Sequence, residues 1–294
     1  MMSHILLHGL TCAVYAGLAL HFWSTRWLVK PAAPPAGREA LKGGLKGWER
    51  AVILLPLAMH GWLLYTDVVA PAQPHFGFAH ALSAMLWLAV LFYWIESFFY
   101  NLEGLQGPVL GLAAVTAPLP AFFPGYDTMH AASLEFKLHI VLAMLAYSLF
   151  TIAILHALLM AVVERRLHGA RKGTMAPGEP LGPLRGFASL PPLLTLERLL
   201  FRLIGAGFVL LTATLVTGII FSDSLFGRPL RFDHKSVFAV ISWFTFAALL
   251  VGRHFYGWRG RTALRWTLAG FVLLLLAYIG SRFVLEVVLG RGAT

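Results

Sequence analysis

Eight apolar runs, separated by short polar or basic stretches, set the pattern of this chain. They lie at roughly 4–23, 51–68, 79–100, 108–124, 138–163, 199–221, 236–256 and 264–289. A helix of about 17–25 apolar residues crosses the hydrocarbon core of a bilayer, and seven of the runs meet that length comfortably. None alternates apolar with polar residues, as the strands of a membrane barrel do. The pattern predicts an all-α fold: a polytopic integral-membrane bundle of about eight transmembrane helices, one domain over residues 1–294. The fourth run is short and holds Pro118 and Pro120. It predicts a broken or tilted helix, tolerable only where protein covers the freed backbone.

Composition agrees with this. The chain is 59% hydrophobic and 12% charged, against about 25% charged for a soluble domain. A net charge of +10 could suit nucleic acid, but the cations sit in short loops between apolar runs, where they orient a membrane protein instead. Arg26, Lys30, Arg38, Lys42, Lys46 and Arg50 follow the first run. Arg165, Arg166, Arg171, Lys172, Arg185 and Arg198 follow the fifth, and Arg253, Arg259, Arg261 and Arg265 follow the seventh. The excess of arginine and lysine puts these loops in the cytoplasm and both termini outside. The first run has no basic stretch ahead of it and reads as a retained helix. The stretch 164–198, rich in Pro and Gly, reads as an irregular connector. The single cysteine, Cys12, leaves no residues for disulfide or thiolate-metal chemistry.

With this topology the histidines divide by face. His4, His8, His75, His80, His130, His139 and His234 fall at or near the outer face, with His60 in the outer half of span two. His21, His156, His168 and His254 lie toward the cytoplasm. Imidazole is wet at one end and apolar in its body, so His4, His8, His75, His80 and His130 take a structural, interfacial reading. His60 and His139 differ, because each sits on an apolar helix, and an intramembrane ionisable residue is a functional candidate by default. His156 is 17 residues beyond His139, ~25 Å along a helix, so the two cannot share a metal.

His139 suits one axial ligand to a haem near the outer surface; the alternative is a hydrogen bond to a neighbouring loop. Asp233 fits the N-cap of span seven, with His234 and Lys235 in its first turn. Arg228, Arg231 and Lys235 form a small basic patch there. Such a rim suits the two propionates of haem, and equally suits ordinary capping with solvated charges. At the other end, Trp258 and the arginines of "GWRGR" anchor the interface and attract anionic lipid. Glu96 reads as a snorkelling or capping residue, and Arg282 with Glu286 as a structural pair on one helix face. No carboxylate pair, nucleophile–base constellation or phosphate loop is present, so nothing in the sequence marks an enzyme.

The segments "LHIVLAMLAYSLF" in span five and "FDHKSVFAVISWFTFAALLVGR" in span seven, followed by "GWRGR" and "LLLLAYIGS", resemble the cytochrome c assembly (CcsA/ResC/HemX-type) membrane proteins. With "LAMHGWLLY" in span two, the likeness is to the YpjD-like inner-membrane branch. It covers nearly the whole chain and is strongest from Leu138 to Gly280. The resemblance implies a bacterial inner-membrane protein that handles haem b at the outer face, with membrane lipids and other cytochrome c maturation proteins as partners and no nucleic acid. His139 matches the outer-face histidine of the family, and Asp233 and Lys235 match an Asp-Pro-Lys motif, with His234 in place of proline.

Three features depart from the family pattern. The outer segment "FSDSLFGRPLRFDHK" has no tryptophan, Val251 stands where the family has an intramembrane histidine, and "AYIGSRF" lacks a late outer-face histidine. The resulting expectation is a haem-binding or haem-passing protein in which His139 leads, His60 or His234 supplies a second ligand, and Arg231 and Lys235 steer propionates. A regulatory membrane protein acting through its cytoplasmic loops and an ion-transport accessory using Glu96 and His60 are the alternatives.

Overall fold

The computed structural model describes residues 2–28, 45–71, 75–102, 104–127, 133–171, 193–226 and 234–290. Seven helical stretches among them are long and apolar enough to cross a membrane. Helix α1 (Met2–Phe22) continues as a π-helical turn to Leu28, and α2 (Gly47–Leu64) likewise through Tyr65–Val69. Helix α3 spans Phe78–Glu96, α4 Gln106–Thr116, α5 Leu119–Phe122, α6 Leu134–Arg171, α7 Leu193–Phe226 and α8 His234–Tyr256. Helix α9 (Gly260–Leu275) runs on through further π and α turns, including α10 (Ser281–Phe283), to Val288.

The fourth apolar run is the exception to full length, and the structure shows how it still returns across the bundle. Strand β1 (His75–Phe76), between α2 and α3, pairs antiparallel with β2 (Tyr126–Asp127), which follows α5. The chain therefore leaves the fourth run on the face where it entered α3. Helix α4 packs antiparallel to α1: Gly107 lies against Trp23 and Gly111 against Ala19, while Ala117 meets His8 near the start of α1. At the break, the Ala121 N–H bonds to the Pro118 carbonyl. That bond passes over the Ala117 carbonyl, and the freed acceptor takes a 2.8 Å hydrogen bond from His8 Nδ1. A side chain from another helix satisfies the backbone that proline left open.

Helices α3 and α6 form the centre. Their apolar windows are 56% and 61% buried, against 22–28% for the other long helices, so the remaining surface of those helices is left for lipid. Helix α6 packs along α7, α3 and α9. At its middle, Phe150 stacks on Phe246 of α8 with centroids 3.9 Å apart. Gly207 of α7 and Gly270 of α9 close on the two rings: a Cβ at either position would come within about 3.1 Å of a ring carbon. Four helices meet at that stack because two of them present no side chain.

The end that carries the three basic loops is held by ion pairs. Arg26 pairs with Glu49 at 3.1 Å, whose carboxylate also accepts from the Lys46 N–H at the start of α2. Arg50 donates to the Ser97 carbonyl, and Arg253 and Arg259 both pair with Glu197. The stretch expected to be irregular from 164 to 198 is partly helical: α6 runs to Arg171 and α7 begins at Leu193. Polar residues such as Glu164 and Arg165 are good helix formers, so α6 leaves the apolar layer without unwinding.

Candidate functional site

His139 sits at the outer end of α6, half-buried against α7. Its Nδ1 lies 3.0 Å from Thr217 Oγ1, and the ring also reaches the Thr214 backbone. The Thr217 hydroxyl lies 2.8 Å from the Ala213 carbonyl. The Thr214 carbonyl lies 3.0 Å from the same hydroxyl; with its proton on either carbonyl, the hydroxyl accepts from His139 Nδ1–H, and Nε2 of the neutral ring keeps its lone pair. This is how a protein presents a histidine to a metal: the second nitrogen fixes the tautomer and the ring plane. Gly218 makes room for it, since a Cβ there would stand 3.2 Å from His139 Cε1. The partner is a helix residue, not the neighbouring loop that the sequence suggested.

The other expected site residues are distributed around the bundle. His60 is fully buried, its Nε2 2.7 Å from Ser83 Oγ of α3 and its ring edge-on to Tyr15 of α1 at 5.7 Å. It packs among α1, α2 and α3, whereas His139 packs against α7. His60 Nδ1 has no hydrogen-bond partner among the described residues. His234 is the exposed first residue of α8, followed by the partly buried Lys235. Arg231, Arg228, Asp233 and His130 lie outside the described residues.

Two constellations were not legible in advance. Glu96 neither snorkels nor caps: it turns into the bundle, 12% exposed, with Oε2 3.7 Å from Nε2 of the fully buried His156. His156 Nδ1 donates to the Ile152 carbonyl one turn back on α6, while Nε2 and Glu96 Oε2 face each other with no hydrogen-bond partner among the described residues. The second lies at the outer end of α1. His4 and His8, one turn apart, meet Asp67 from the π-helical turn that ends α2. His4 Nε2 is 3.0 Å from Asp67 Oδ1, and His8 Nε2 is 3.5 Å from Oδ2. The i, i+4 spacing of the two histidines was the available signal; the carboxylate arrives from a helix the sequence does not connect to them. Glu286, expected to pair with Arg282 along its own helix, also accepts from the Phe78 N–H at the start of α3.

Comparison with known proteins joins this geometry to a family. The family described as Cytochrome C assembly protein matches residues 48–289. The chain is 34% identical over 181 residues to Inner membrane protein YpjD of Escherichia coli (strain K12), covering 61% of this chain and 64% of that protein. It is 29% identical over 199 residues to Cytochrome c biogenesis protein CcsA of Guillardia theta, covering 62% and 64%. With the CcsA of Nostoc punctiforme it shares 36% over 119 residues, 40% of this chain and 31% of that protein. The match thus falls short of two thirds of the length of these relatives. No solved structure matches the chain. The match over residues 48–289 takes in the broken fourth helix, the central α3–α6 pair and the His139 seam alike, and the chain belongs to the cytochrome c assembly protein family.

Proposed function

We propose that this chain is a multi-pass inner-membrane protein of cytochrome c biogenesis that binds or passes haem b at its outer face, with His139 as an iron ligand. The observation that carries the reading is the Thr217 contact at Nδ1 of the half-buried His139 ring, an arrangement that frees Nε2 as a ligand when Nδ1 carries the proton. Haem, when bound, would supply an iron that takes imidazole nitrogen as a ligand. The chain's own part is to hold that imidazole in one tautomer and plane and to offer cations to the propionates. Lys235 at the start of α8 suits the second role, with Arg231 just ahead of it in sequence. His234, exposed beside them, is better suited as a second ligand than His60, whose ring is closed in by Ser83 and Tyr15. Membrane lipids and other cytochrome c maturation proteins are the partners this reading implies. The relatives named as cytochrome c biogenesis proteins favour it over a regulatory or ion-transport role.

The test is an absorbance and pyridine-haemochrome spectrum of detergent-purified protein, wild type beside His139→Ala and His60→Ala. A six-coordinate b-type spectrum that collapses in His139→Ala and survives in His60→Ala is expected. Absence of haem from the wild type, even with haem supplied during expression, would overturn the reading.

A further inference from the structure

The His4, His8 and Asp67 cluster stands apart from the His139 seam, and its geometry is that of a metal site. Two histidines one turn apart on α1 present their Nε2 atoms to one carboxylate, and the three donor atoms lie within 4.8 Å of one another. A tetrahedral zinc ion with bonds of ~2.0–2.1 Å keeps its donors roughly 3.4 Å apart. The separations of His4 Nε2 from Asp67 Oδ1, 3.0 Å, and of His8 Nε2 from Asp67 Oδ2, 3.5 Å, are near that value, each to its own oxygen of the carboxylate. Only the His4–His8 edge, with ring centroids 5.1 Å apart, has to close by ring rotation. Two donors so close on one helix face bind one side of an ion, whereas a six-coordinate haem takes its two axial ligands from opposite sides.

Independent of the donor spacing is the state of His8. It is 2% exposed, its Nδ1–H is committed to the Ala117 carbonyl, and its bare Nε2 points toward Asp67 with no hydrogen-bond partner among the described residues. A buried nitrogen lone pair facing a carboxylate oxygen is unfavourable for both atoms, and a cation between them satisfies both. The backbone carbonyl on Nδ1 is the outer-shell partner that metal-bound histidines use. His4 completes the picture. Thr66 Oγ1 donates to the Leu63 carbonyl and so accepts from His4 Nε2–H at 3.2 Å. A proton therefore stands where the ion would sit, and the ion replaces it once the proton moves to Nδ1. Asp67 is carried on a π-helical turn, a device found disproportionately at functional sites.

We infer that His4, His8 and Asp67 form a binding site for a divalent first-row metal, zinc above all, at the outer face. Three protein donors of this kind leave one position of a tetrahedral ion open to water or a small anion. The ion ties the start of α1 to the end of α2, while the same histidine holds the broken α4. Because it binds the folded chain, it raises thermal stability by an amount that grows with the logarithm of its concentration over its dissociation constant.

The experiment uses full-length, tag-free protein in detergent, stripped with chelator and titrated with zinc against a chromophoric competitor. Metal content is then measured after desalting, and the melting temperature with and without zinc. One zinc per chain and a higher melting temperature are expected in the wild type. Both should be lost in His4→Ala and Asp67→Asn. His4 is 43% exposed at its side chain and asparagine is isosteric with aspartate, so both variants keep the fold, checked by their helical circular dichroism. Substoichiometric zinc in the wild type, or one zinc retained in both variants, overturns the inference. A haem spectrum is not read in this assay, so the outcome is separate from that of the His139 reading.

Discussion

Two histidines of α6, His139 near its outer end and His156 past its middle, use the same side chain differently. At the outer end His139 Nδ1 is hydrogen-bonded to the hydroxyl of Thr217, a residue of a second helix. Deeper along the helix His156 gives its Nδ1 proton to Ile152, a residue of its own helix. The first tether fixes a ring in the seam between α6 and α7 and leaves Nε2 on a half-open side. The second lets the ring sink entirely into the bundle, where Nε2 finds Glu96 at 3.7 Å. An imidazole nitrogen is a ligand only where an incoming group can reach it; enclosed, it meets only the Glu96 carboxylate across the seam between α3 and α6. His8 is a third case, buried like His156 but tethered to another segment like His139, with a second imidazole and a carboxylate in front of it.

Substitutions can break or sharpen this contrast. The largest change in stability is expected of Glu96→Ala, which strands the His156 nitrogen in a dry site. A loss of about 3 kcal/mol, read as a fall in the detergent melting temperature, is predicted. Glu96→Gln keeps an amide donor for that nitrogen and should melt close to wild type. Thr217→Val removes the acceptor that sets the His139 tautomer. Loss of such an outer-shell partner weakens metal binding by about 10–100-fold, so a haem titration should shift by that factor while the melting temperature hardly moves. Gly218→Ala sets a methyl 3.2 Å from the His139 ring. Turning the ring off its rotamer to escape it costs about 0.5–1.5 kcal/mol, visible as a smaller shift in the same titration. The smallest effect is that of Lys235→Ala, about 0.2–1 kcal/mol at most for a near-surface charge pair. It should appear as a weaker dependence of haem affinity on salt.

Much of the architecture was legible in the hydrophobic pattern because a bilayer permits few solutions: runs of the right length become helices, and loop cations set their direction. The fourth run was legible as broken, since Pro118 and Pro120 remove donors wherever they fall. What the pattern could not say is where the freed carbonyl goes, because His8 lies 109 positions away. His139 stood out as an imidazole at the outer end of an apolar helix, yet its decisive partner, Thr217, looks like any other threonine in a span. Glu96 was misjudged for the same reason: near the end of a helix a carboxylate can reach water, and only the packing of α3 against α6 shows that it turns inward instead. The helical ends of the 164–198 stretch were hidden by the Pro and Gly density of its middle.

The central claim is that the outer histidine of α6 binds and the deeper one holds. The most direct measurement is a haem titration of purified protein followed by absorbance, comparing wild type, His139→Ala and His156→Ala under one set of conditions. The account predicts saturable binding in wild type, none in His139→Ala, and binding of wild-type strength in His156→Ala for protein that remains folded. Haem binding that survives in His139→Ala and disappears in a folded His156→Ala would contradict it.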